Sequence, residues 1–230
     1  MKSIFTAIVL SLITSFCMAE AVSVGRAEIK LPGDNWQNFP IAEEVTPFGG
    51  DRAGQIKSER KVFVKKSSSH AVEAIALISG SPGGLGTAGK LQYSPQCSSD
   101  KYWYRNGNQG FNRPFAECWG VLKGRPITQG NLGIAFPELS PLLSQENLQM
   151  PDGANALFSA YRNENGTFLT VLMLIAPGFS LPNAPAVDSV PEGVEPKVMH
   201  YGRLLSAAVR ASVTSWSGQF AVPGFGFSDQ

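Results

Sequence analysis

Two apolar runs, residues 157–161 and 167–175, flank the polar stretch Arg162-Asn163-Glu164-Asn165-Gly166. An Asn-Gly pair supplies the positive φ angles of a tight turn, so the spacing predicts an antiparallel hairpin. Asn165-Gly166-Thr167 also has the form of a glycosylation sequon, and we read it as the plain turn. The second run, Thr-Phe-Leu-Thr-Val-Leu-Met-Leu-Ile, is nearly unbroken in its apolarity. A strand of that kind belongs in the middle of a sheet. The chain must then supply further strands on both sides of it. Its 24 glycines and 16 prolines fit that demand, because they favour many turns and short elements over long helices.

Further strands are legible nearby. Residues 59–66 alternate charged and apolar side chains, as a half-buried strand with a basic outer face would. Residues 70–79 are almost wholly apolar around Glu73, and the serines at 67–69 make the link between the two a hairpin. Residues 28–31 and 119–123 read as strands, and residues 131–136 as a short one leading to Pro137. Trp36 and Phe39 are expected to plug the core from a loop, with a turn at 47–51.

Two helices are expected. The first starts with Ser140 as cap and Pro141 in its first turn, carries Leu142, Leu143, Glu146 and Leu148, and stops before Pro151. The second occupies residues 196–217. Pro196 suits its first turn, and Val198, Tyr201, Leu205, Ala208 or Val209, Ser212 and Trp216 recur on one face. Gly202 within it implies close packing of backbone against a neighbour, and Gly218 ends it. Residues 177–196 form a Pro-rich connection over the surface. Phe220, Phe225 and Phe227 make an aromatic tail that wraps back on the core or meets a partner.

The N-terminus has the pattern of a secretory signal peptide. Lys2 precedes an apolar run at residues 4–16, and Ala19-Glu20-Ala21 is a small-x-small cleavage site. We therefore expect residues 1–21 to be a leader and residues 22–230 a single globular domain, periplasmic or secreted, with no transmembrane span after cleavage. Cleavage would remove Cys17 and leave Cys97 and Cys118. In an oxidising compartment that pair is expected to form a disulfide closing one loop. The fold class is therefore α+β: a mainly antiparallel sheet, an amphipathic C-terminal helix packed on one face, and one disulfide-closed loop.

The same loop is the best binding surface in the sequence. Tyr102, Trp103, Tyr104, Arg105, Phe111 and Arg113 lie within it, and Trp119 follows at once. Aromatic and arginine side chains bury much area at low entropic cost and dominate binding hot spots. Aromatic rings stack on sugars or peptides, and Arg105 and Arg113 can fork to a carboxylate or phosphate. Tyr102, Trp103, Tyr104, Arg105, Arg113 and Trp119 are the candidate binding residues, for a protein, peptide or glycan partner.

Catalytic and cofactor patterns are weaker. Gly84, Gly86 and Gly89 match a dinucleotide fingerprint, but Pro95 stops the helix that must follow, so no cofactor is expected. His70 and His200 lack a second ligand at metal spacing, so no metal site is expected. A net charge of +1 gives no pull toward nucleic acid. The leading reading is an exported, non-catalytic binding or interaction module. A hydrolase using a carboxylate pair from Glu73, Asp100 and Glu117 is the first alternative, and a structural component of a cell-envelope assembly is the second.

Overall fold

The computed structural model describes residues 21–32, 35–41, 44–48, 54–67, 69, 71–81, 103–108, 115–122, 127–150, 152–163, 167–177, 181, 190–215 and 218–224. The elements in chain order are β1 (Ala21–Val24), β2 (Ala27–Lys30), β3 (Trp36–Pro40), β4 (Glu44–Phe48), β5 (Gly54–Lys66), β6 (Val72–Gly80), β7 (Trp103–Asn108) and β8 (Phe115–Leu122). They are followed by α1 (Gln129–Ala135), α2 (Leu139–Gln145), β9 (Asn155–Asn163), β10 (Phe168–Ile175), α3 (Pro196–Thr214) and β11 (Gln219–Ala221).

The expected hairpin is β9–β10, in register from Phe168 opposite Arg162 to Ile175 opposite Asn155. Its second strand does lie mid-sheet: the large sheet has the order β3-β5-β6-β10-β9-β8-β7, and β4 pairs with β5 off that path. Every pairing in it is antiparallel. With the C-terminal helix α3, this is an α+β fold. A second sheet of three strands, β1-β2-β11, includes a parallel pairing of β11 with β2.

Both faces of the large sheet are covered, which is why its central strands read as continuous apolar runs instead of alternating ones. On one face Phe63, Ala76, Leu157 and Met173 pack with Val198, Tyr201, Leu205 and Val209 of α3 and with Ile29 of the small sheet. On the other, Val62, Leu77, Phe158 and Leu172 pack with Leu132, Phe136, Leu139 and Leu143 from the α1–α2 region. Successive residues of one strand thus enter opposite cores. Each fully buried aliphatic or aromatic side chain in them contributes roughly 1.5–3 kcal/mol of burial free energy.

Helix α3 follows its sequence pattern but ends at Thr214 with Ser215 as its C-cap, short of the expected residue 217, so Gly218 is not its terminator. Pro196 stands at its start, and Val198, Tyr201, Leu205, Val209 and Ser212 form its buried stripe, joined by Met199, Gly202 and Ser206. Tyr201 is fully buried and its hydroxyl donates to the Pro223 carbonyl at 3.0 Å. That bond fixes the chain just beyond β11 over the helix. Gly218, at φ +63°, turns the chain into β11.

The small sheet is fastened to the large one through two neighbours on a face of β5. Glu59 Oε2 accepts from the Gly25 backbone N–H at 2.7 Å, and Lys61 Nζ donates to the Ser23 carbonyl at 2.5 Å. Lys61 and Glu59 also pair with each other at 3.0 Å. Gly25 has φ +58°, and a Cβ there would collide with the Ser81 carbonyl, so the turn between β1 and β2 requires glycine.

Several expectations are corrected. Trp36 and Phe39 sit on edge strand β3, not in a loop, because β5 offers a free side for pairing. Pro47 and Phe48, expected to open a turn, belong to β4, and the rest of that expected turn lies outside the described residues. Residues 131–136, expected as a strand, lie in α1 and its C-cap. Thr128 and Asn131 cap that helix reciprocally, at 2.8 and 3.3 Å, and this satisfies its first amides. The next helix starts two residues earlier than expected, with Glu138 in place of Ser140 at its N-cap, so Ser140 is inside it, and it ends at Gln145. Residues 103–108 form a strand, β7, within what reads as a loop. The expected leader, the glycines at 84, 86 and 89, most of the Pro-rich connection, His70, Trp216, Phe225 and Phe227 lie outside the described residues.

Candidate functional site

The described candidate binding residues, Trp103, Tyr104, Arg105 and Trp119, lie on β7 and β8 at the β7 end of the large sheet. Cα partners run from Trp103 opposite Leu122 to Asn108 opposite Glu117. The pleat sends alternate residues to opposite faces. Tyr104, paired with Val121, and Trp119, paired with Asn106, lie on the α3 face. Their rings meet edge to face at 6.0 Å between centroids. Arg105, paired with Gly120, and Gly107, paired with Cys118, belong to the other face. The structure therefore separates Arg105 from Tyr104 and Trp119.

Exposure divides them further. Trp119 is 7% exposed and lies beneath α3, so its indole is part of the core. Tyr104 and Arg105 are half-buried, and Asn106 and Gly107 are exposed. Trp103 opens β7. Tyr102, Arg113, Asp100 and Cys97 lie outside the described residues.

Glycine shapes this end of the sheet at two positions. A Cβ on Gly120 would meet the Phe158 ring at 2.5 Å, so its absence lets Phe158 lie across β8. A Cβ on Gly107 would collide with the Glu117 carbonyl and stand 2.6 Å from Cα of Cys118, so glycine allows the β7 backbone to lie close against β8 there. Cys118 itself is 1% exposed.

Of the candidate acids, Glu117 has a defined role. Arg210 of α3 donates to both its oxygens, Nε to Oε2 and Nη2 to Oε1, each at 2.6 Å. This bidentate fork ties the last turns of α3 to β8. Beside it the Phe115 and Tyr161 rings stack at 5.5 Å with 12° between their planes. Burial, and then the Glu117 carboxylate, raise the Tyr161 phenol above its ordinary range, while Arg210 pulls it down. Burial alone lowers the neighbouring Arg162 guanidinium from its usual value. The group is a structural clamp, with both carboxylate oxygens engaged.

Glu73 is not near it. Strands β10 and β9 separate β6 from β8. Glu73 lies near the start of β6, one residue beyond the Ala74 that is level with Asn155, and so about seven positions along β9 from the Tyr161 that pairs with Glu117. At about 4.8 Å per strand and 3.4 Å per residue, the two acids stand more than roughly 20 Å apart. Glycosidase carboxylates work at roughly 5–9.5 Å. Glu73 and Glu117 therefore do not form such a pair. Among the described residues no three of His, Cys, Asp and Glu come together to hold a metal ion, and no helix is long and apolar enough to cross a membrane.

Sequence reasoning missed the Glu117–Arg210 clamp, since 93 positions separate its partners and no local pattern joins them. The capping pair Thr128 and Asn131 was visible at its spacing and outranks the apolar run that follows. Compared with known proteins, the chain matches no family model, no curated protein and no solved structure.

Proposed function

We propose that the protein is an exported, non-catalytic binding module, periplasmic or secreted, that holds a protein, peptide or glycan partner at the β7 end of its large sheet. The observation that carries this reading is the position of β7. It is the terminal strand of the sheet order, it pairs with β8 alone among the described residues, and it presents Asn106 and Gly107 exposed with Tyr104 and Arg105 half-exposed. A terminal strand offers main-chain donors and acceptors to a partner, and flanking aromatic and arginine side chains give the contact its affinity. The engagement of Glu117 by Arg210 speaks for a structural use of the one described acid in this region. A Cys97–Cys118 disulfide belongs to the same reading. It would tether the segment before β7 to β8 and add roughly 3 kcal/mol for a loop of about 20 residues.

The test is native mass spectrometry of unreduced protein taken from the exported fraction, wild type beside Arg105→Ala. The expected wild-type species begins near Val22, lacks one pair of hydrogens relative to the reduced chain, and carries bound mass that the variant loses. A bare monomer in both preparations overturns the binding reading. A full complement of thiol hydrogens overturns the disulfide.

A further inference from the structure

A small cleft opens at the other end of the molecule's long strands, where the β1–β2 turn, the end of β6, the start of β10 and the end of α3 converge. Its lining includes Arg26, Ser81, Thr167, Phe168, Ser212 and Ser215, and it encloses about 40 Å³. A water molecule's share of liquid volume is about 30 Å³, so the space suits one compact polar group.

Two observations say what kind of group. Ser212 is 3% exposed, yet its hydroxyl has no hydrogen-bond partner. A buried hydroxyl in that condition costs on the order of 1–3 kcal/mol and is uncommon in a folded chain. Arg26 lines the same cleft and pairs with no carboxylate among the described residues. Glu59, the acid that holds the adjacent turn, is committed to the Gly25 amide and to Lys61. Ser81 adds to this set: its hydroxyl accepts from the Phe168 amide, which leaves its own proton to donate.

Some of the acceptors nearby are already used. The carbonyls that end α3 would ordinarily repel an anion. Here the Arg210 and Ala211 carbonyls accept from the Thr214 hydroxyl, Ala211 also accepts from the Ser215 amide, and the Ser212 carbonyl accepts from the Ser215 hydroxyl. These bonds weaken the repulsion at the helix end.

We infer that this cleft is a binding site for a carboxylate group, held by Arg26 and the buried Ser212 hydroxyl. A carboxylate accepts from a guanidinium in planar, charge-assisted geometry and has a lone pair left for a serine. Arg26 is exposed and hydrated in the free protein, so a carboxylate would exchange that water for a charge-assisted pair beside Ser212. The carboxylate comes either from a free small acid or from the C-terminus of a peptide, and the two share the same chemistry at the cleft.

The test is a two-dimensional amide NMR titration of the full chain with sodium acetate, with sodium chloride at matched ionic strength as control. A parallel arm uses a tripeptide, Gly-Gly-Ala, with a free or an amidated C-terminus. Saturable shifts of the Arg26, Ser81, Phe168 and Gly218 amides are expected with acetate or the free peptide but not with the amidated one. Tighter binding of the peptide than of acetate identifies a chain terminus as the natural group, and parity identifies a free acid. Arg26→Gln and Ser212→Ala are each expected to weaken binding about tenfold or more. Arg105→Ala is expected to leave it unchanged, so the result stands apart from the β7 surface. The inference is overturned if neither carboxylate exceeds chloride, if amidation makes no difference, or if Ser212→Ala, which deletes only a hydroxyl, binds as wild type does.

Discussion

Gly202 lies directly over the Trp119 ring: a Cβ on the glycine would stand 2.9 Å from Cζ3 and 3.0 Å from Cε3 of the indole. Leu157 Cδ2 closes the third side at 3.3 Å. The indole is buried and meets the Tyr104 ring edge to face, so it yields little, and this sets the distance between α3 and the sheet. Gly202→Ala gains about 1 kcal/mol of helix propensity but forces the helix outward, at a cost of roughly 1–3 kcal/mol. Net destabilisation on the order of 1 kcal/mol is expected in urea unfolding. Gly130→Ala is the control, since the nearest atom to its Cβ would be Thr128 Oγ1 at 3.9 Å. It should gain up to about 1 kcal/mol. A Gly202→Ala protein as stable as Gly130→Ala would refute the close approach.

The Glu117–Arg210 clamp makes a prediction with a spectroscopic reading. Its geometry is bidentate, but the Arg210 side chain is 54% exposed, so solvent screens much of its attraction. A double-mutant cycle with Glu117→Gln and Arg210→Ala should give a coupling of about 0.5–1 kcal/mol. Tyr161 reports on the same pair. Glu117 raises its phenol and Arg210 lowers it, so Glu117→Gln should move the Tyr161 titration down and Arg210→Ala should move it up. Shifts of the same sign in both variants would show that the carboxylate and guanidinium do not flank the phenol as described.

The central elements of this fold are legible because their signals are local. Asn165-Gly166 and its flanking runs give β9–β10, and Pro196 with its apolar stripe gives α3. The edge strands are not. Trp103-Tyr-Arg-Asn-Gly-Asn108 has no apolar alternation, and β7 exists because β8 provides a ladder for it. The same holds for β3, whose Phe39 reaches the core while Gln37 and Asn38 stay in solvent. Residues 131–136 mislead in the other direction. Their apolarity suits a strand, but satisfying the helix amides at Thr128 and Asn131 is worth about 1 kcal/mol at each cap and decides the segment. The candidate site was legible as a region, not as a surface. A run of aromatics in sequence becomes two faces once it is pleated, which places Trp119 in the core and Arg105 on the far side from Tyr104. The cleft at Arg26 and Ser212 could not be read at all, because its residues come from four separate parts of the chain.

Buried phenols make the protein sensitive to alkali. Burial drives the Tyr201 phenol far above its ordinary value near 10, and Tyr161 shifts in the same direction. In the native state Tyr201 stays protonated well past pH 10, and Tyr161 ionises above its ordinary range. In the unfolded chain they ionise there. Above pH 10 the unfolded state therefore binds fewer protons than the native one, and stability falls as pH rises, by up to about 1.4 kcal/mol per pH unit for each such tyrosine. Below pH 10 neither group contributes a slope. Tyr201→Phe loses the hydrogen bond to the Pro223 carbonyl, so at pH 7 it should be less stable by about 0.5–1.5 kcal/mol. Its decline above pH 10 should be shallower by up to one proton's worth, so the two stability curves converge as pH rises. Urea midpoints between pH 8 and 11 measure both effects. Parallel curves across that range would mean that Tyr201 ionises in the native state as it does in the unfolded one, and that its hydroxyl is not sealed between Met173 and Pro223.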